Sequence, residues 1–190
     1  MAKRLERGHR IGPEAPDASA LSSTIVIGAD GRIVAPPVDA ERAGFNARWA
    51  PATRPSGVAA AESARLARRI RAVPKQCWFN ARRAVLRLDD YADAGYVEGL
   101  AVTRQGLIIE HGWVVRGELI VDLTLPGLVA AYFAGLEFPG RAGIADFLAT
   151  PLGLGRERSP FFHAFGMFGR ESPSFARARA EAHAAVRFRG

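Results

Sequence analysis

Apolar and polar positions alternate unevenly along this chain, dividing it into stretches of different character. Residues 1–22 hold no period, because Gly12-Pro13 and Pro16-Asp17 interrupt every run, and they read as a flexible basic arm. Thr24-Ile25-Val26-Ile27 and Arg32-Ile33-Val34 flank an Asp30-Gly31 pair, the pattern of a β-hairpin. From Ala35 to Gly57, Pro, Ala and Arg prevail without a period, which predicts a surface connector. Leu66, Ile70 and Val73 then recur at helical spacing among Ala and Arg, predicting a helix over 58–72 that Pro74 ends. Residues 23–73 are thus expected to form a hairpin, a connector and a helix.

A second helix is predicted from Gln76 to Leu88, with Cys77, Ala81, Ala84, Val85 and Leu88 on one face, so that Cys77 lies on the buried side of its first turn. Three strand patterns follow, Tyr96–Val102, Leu107–Val115 and Glu118–Leu123. Their links, Thr103-Arg104-Gln105-Gly106 and Arg116-Gly117, are short enough for an antiparallel meander. After Pro126 the spacing predicts a helix around Leu128–Leu136 and another near Ile144–Leu148. Residues 151–190 form an extension with an aromatic run, Phe161-Phe162-His163-Ala164-Phe165, and an Arg-rich helix, Ala176–Arg189. The expected fold class is α+β, with a helix packed on an antiparallel sheet and a core spanning 74–150.

Composition narrows the function classes. Of 190 residues, 48% are apolar and 24% charged, the balance of a globular chain that folds. The start has no apolar stretch after its charged residues, and no apolar run nears the roughly 18 residues of a membrane span, so a cytoplasmic protein without membrane contact is expected. Cys77 is the sole cysteine, which excludes an internal disulfide and a cysteine-rich zinc site. The net charge of +7 comes almost entirely from arginines scattered over both ends and two helices. A dedicated nucleic-acid surface usually clusters its cations among aromatics, so nucleic acid ranks as a secondary expectation.

A lone thiol is either core filler or a nucleophile. Thiols attack as thiolates, and the unpaired N–H groups of a helix start favour an anion and can receive an oxyanion. Strand register supplies possible partners. If Arg116-Gly117 is a two-residue loop, Val115 pairs with Glu118 and His111 lies directly across from Asp122, where a carboxylate can hold an imidazole. If Val102 faces Leu107, Glu98 lies across from His111 on the other side, and either acid can be the orienting group.

Cys77 opening a helix, then His111-Gly112-Trp113, then Val121-Asp122-Leu123-Thr124 resembles the core of transglutaminase-like proteins, whose fold is related to papain-like peptidases. Those proteins have a cysteine at a helix start, a His-small-Trp strand and an Asp-x-Thr strand. The resemblance covers residues 74–126, and Tyr96-Val97-Glu98-Gly99 is similar to the preceding strand in small bacterial and phage-encoded members. It implies Cys77 as nucleophile, His111 as general base, Asp122 as orienting acid and Trp113 as a shield. Val73-Pro74-Lys75-Gln76 stands where that family commonly has a Gly-rich approach. Gln76, beside the thiol, is a candidate oxyanion donor.

These readings predict a cysteine hydrolase or acyltransferase acting through a thioester on a peptide, protein or small amide, with no metal or organic cofactor. The alternatives are an inactive binding module of the same fold and a basic nucleic-acid-binding accessory protein. His163 reads as packing or partner contact, and His9 and His183 carry no assignment.

Overall fold

The computed structural model describes residues 26–27, 33–34, 40–52, 55–166, 169 and 172–187. The chain forms two compact units, 1–34 and 35–190. In the first, β1 (Val26–Ile27) pairs antiparallel with β2 (Ile33–Val34), as the hairpin pattern predicts. The arm 1–22 lies outside the described residues.

The second unit is mixed α and β. Its elements are α1 (Ala40–Arg48), β3 (Gly57–Val58), α2 (Ala60–Arg69), α3 (Cys77–Arg87), β4 (Gly95–Thr103), β5 (Ile108–Arg116), β6 (Leu119–Val121), β7 (Val129–Phe138), α4 (Gly140–Leu148) and α5 (Pro173–Arg187). The strands form one curled sheet in the order β3-β6-β5-β4-β7, antiparallel except for the parallel pair β3–β6. The expected meander is its centre. The aromatic run forms a 3-10 turn, Phe161–Phe165.

Two expectations were wrong in kind. The connector 35–57 contains α1, whose end carries the fully buried Trp49 against the rings of Phe138 and Phe147 at 5.2 and 5.8 Å. Phe45 and Trp49, four residues apart, were the only helical signal there. The helix expected at 128–136 is β7. Its alanines favour a helix locally, but the free edge of β4 offers a ladder for the whole segment, and pairing satisfies its backbone polar groups. The ladder slips by one residue opposite Glu98/Gly99, leaving Gly135 as the extra residue. A Cβ on Gly135 would meet the Phe175 ring at 2.3 Å, so glycine lets α5 lie against this strand.

The main core lies on one sheet face, where Tyr96, Leu100, Val102 and Val114 meet Ala81, Ala84 and Val85 of α3 and the aromatics of the C-terminal segments. A smaller cluster of Val97, Trp113, Val115 and Ile120 occupies the opposite face.

Candidate functional site

Both predicted hairpin registers are displaced, and the displacements differ in consequence. The β5–β6 loop is Gly117-Glu118, with Gly117 at φ 59°, and Val115 pairs with Ile120. The register has moved by two residues. Side chains alternate with period two, so Asp122 keeps the face of His111 but sits diagonally from it. The β4–β5 loop is the three residues Arg104-Gln105-Gly106, with Gly106 at φ 82°, and Gly99 faces His111. This is a one-residue shift, and it turns Glu98 to the opposite face. The expectation that Glu98 flanks His111 is therefore incorrect.

Glu98 has another role. Its carboxylate, fully buried, accepts the backbone N–H groups of Phe161 and Phe162 at 2.8 Å each and the hydroxyl of Tyr96. Burial raises its pKa, against the pull of these donors. It holds the 3-10 turn onto the sheet.

Pairing of β5 with β6 ends at Val114–Val121, and the chain turns away at Asp122. Asp122 Oδ1 accepts the N–H groups of Thr124 and Leu125 at 2.9 and 3.1 Å, while Oδ2 meets His111 Nε2 at 2.9 Å and accepts the Tyr132 hydroxyl at 2.9 Å. The Asp122 N–H donates to Ser63 Oγ of α2 at 3.0 Å. The acid is therefore fixed at backbone and side chain. Burial would raise its pKa, but the bond to His111, the imidazole charge and the two backbone donors bring it below the usual range.

His111 is 1% exposed and hydrogen-bonds Asp122 at 2.9 Å, and Cys77 lies near enough to act on its charge. With Nε2 turned to Asp122, Nδ1 is the nitrogen left for the thiol. Burial alone would depress the imidazole pKa, but the bond to Asp122 and the charge of both partners push it up to about 9. Trp113 stacks on the imidazole, with ring centres 6.1 Å apart and planes at 25°.

Cys77 is the first residue of α3, and no side chain caps that helix. Its approach to His111 depends on Gly112, where an added Cβ would lie 2.8 Å from Trp78 Cδ1, 2.9 Å from Trp78 Cα and 3.1 Å from Trp78 N. The small residue between histidine and tryptophan thus admits the helix start. Lys75, two residues before the thiol, sits at φ 63°, so a lysine takes a conformation that glycine adopts freely. Asn80 ties the approach down: its Oδ1 accepts the Val73 N–H at 2.9 Å, and its Nδ2 donates to Val73 O at 2.7 Å and Thr124 Oγ1 at 3.3 Å.

The structure brings together Cys77, His111, Asp122 and Trp113. Gln76 is exposed, as is His163, and Glu98 lies across the sheet. The sequence reading missed three residues here. Asn80 shares a face with Cys77 and was legible as a polar residue in an apolar stripe. Tyr132 was hidden by the helix expected at its position, and Ser63 gave no signal.

A cleft of about 640 Å³ lies on the His111 face, with Trp113, Tyr132 and Val97 in its lining and Glu137, Arg177 and Glu181 among its polar groups. A second, about 480 Å³, is lined by Trp78, Leu100, Ile108, Glu110, Arg179 and His183. Among the described residues no cluster of His, Cys, Asp and Glu could hold a metal ion, and no helix is long and apolar enough to cross a membrane. Comparison with protein-family models, curated proteins and solved structures gave no significant match.

Proposed function

We propose that this chain is a cysteine-dependent acyl-transfer enzyme of the transglutaminase-like, papain-related type, with Cys77 as nucleophile, His111 as proton carrier and Asp122 as its orienting acid. One observation carries the reading: a carboxylate holds a buried imidazole, and a thiol at a helix start lies near enough to act on its charge. The carboxylate that holds the ring is itself buried and fixed by three further hydrogen bonds, from Thr124, Leu125 and Tyr132.

In this reaction the thiolate adds to an amide carbonyl, and the oxyanion faces the first-turn N–H groups of α3. The carbon–nitrogen bond breaks as His111 gives its proton to the departing amine. Water or a second amine, deprotonated by His111, then resolves the thioester. An imidazolium that persists to about pH 9 suits a group that must protonate an amine. Cys77 is only 7% exposed, which favours a small or slender amide over a folded protein surface.

The test is alkylation of Cys77 by iodoacetamide at pH 7, with intact-mass measurement after incubation with amide and ester acyl donors. The expected result is a rate above that of a free thiol, a slower rate in His111→Ala, and an acyl adduct absent from Cys77→Ser. A rate equal to a free thiol's and indifferent to His111 would sink the proposal. The same burial favours one other reading, a binding module of this fold, for which no adduct forms and Cys77→Ala keeps the biological effect.

A further inference from the structure

Asp122 Oδ2 serves two donors. His111 Nε2 lies 2.9 Å from it, and the Tyr132 hydroxyl donates to it at 2.9 Å from β7, two strands away from β5. Oδ1 is taken by the N–H groups of Thr124 and Leu125, so the carboxylate cannot rotate to give each side-chain donor its own oxygen. The phenol is itself held. Its ring packs edge-on to Trp113 at 5.3 Å and beside His111 at 6.3 Å, and Trp113 stacks on His111. One set of rings thus places both donors against one oxygen.

We propose that Tyr132 is a positioning residue which, by sharing Asp122 Oδ2 with His111, sets how firmly the imidazolium proton is held during acyl transfer. The inference rests on the function proposed above. A carboxylate oxygen that accepts a second hydrogen bond has less charge to offer the first donor. With the phenol in place, Asp122 orients His111 yet leaves its proton available to a departing amine. Without it, Asp122 binds the imidazolium more tightly and the proton leaves later.

Among the described residues three titratable groups act directly on His111, and Glu137, Arg177 and Glu181 line the cleft on the same sheet face. Cys77 approaches from α3, Asp122 from the segment after β6, and Tyr132 from β7. β4 presents Gly99, since Glu98 lies on the other face, and on β5 itself Glu110 also alternates to that face.

The experiment is the pH dependence of Cys77 alkylation by iodoacetamide in the full-length chain, with His111 titrated by NMR in parallel. Tyr132→Phe keeps the ring and removes the hydroxyl. The His111-dependent step near pH 9 should move up by about half to one pH unit, with kcat reduced on an acyl donor and KM unchanged. 3-Fluorotyrosine at position 132, a stronger donor of nearly the same shape, should move the step down, and it keeps the test open should Tyr132→Phe fold poorly. A purely structural phenol would lower stability without displacing the step. Profiles that superimpose on the wild type, or two variants shifting it in the same direction, overturn the inference. If the wild type itself shows no His111-dependent step, it is the proposed function that fails.

Discussion

Replacing Gly112 by alanine should part the thiol from the imidazole while changing neither. The added Cβ would sit 2.8–3.1 Å from three atoms of Trp78, two of them backbone atoms of the residue that follows Cys77. Ordinary carbon contacts are about 3.5–4.0 Å, so the start of α3 must retreat by roughly 0.5–1 Å, since turning the indole relieves only one of the three. Overpacking of this kind costs about 1–3 kcal/mol of stability. Misplacement of a reacting group by about 1 Å can cost on the order of 100-fold in rate. Urea unfolding and iodoacetamide labelling at pH 7 would measure the two effects side by side. Trp78→Ala added to Gly112→Ala should restore neither, because the backbone contacts remain. If the alanine variant labels within about twofold of wild type and unfolds at the same urea concentration, Gly112 is not what admits the helix, and the argument from close approach is wrong.

Two further outcomes are expected. The His111 pKa is raised, so its contribution to stability is complete below its ordinary value near 6.5 and is lost as pH rises through about 9; by linkage this amounts to about 3 kcal/mol, visible as a fall in urea midpoint between pH 6 and 10 that His111→Ala abolishes. Glu98→Gln should cost about 2 kcal/mol, because an amide NH₂ would face the N–H of Phe161 or Phe162, yet it should leave the pH profile of Cys77 labelling in place; a displaced profile would return Glu98 to the site.

Alanine and arginine content and the spacing of apolar residues were enough to locate α2 and α3 and to put Cys77 at a helix start, because helical signals are local, although the helix expected over 58–72 is shorter, with Val58 paired in β3 and α2 ending at Arg69, before Pro74. The strands of the meander were legible for the same reason. Register was not. It depends on loop geometry, and the positive φ at Gly106 and Gly117 chose a three-residue loop in one hairpin and Gly117-Glu118 in the other. That choice decided which carboxylate meets His111. An even shift left Asp122 on its face, whereas an odd one carried Glu98 through the sheet.

The chain by itself determined that one thiol, one His-Gly-Trp strand and one Asp-x-Thr segment follow one another in an α+β order, and that no disulfide can form within it. Tertiary structure alone decided that residues 129–138 are a strand, since only the edge of β4 outweighs their local preference. It likewise brought in Tyr132, Ser63 and Asn80, whose partners lie 10, 59 and 7 to 44 residues away, and distance along the chain hides such bonds from any pattern in it.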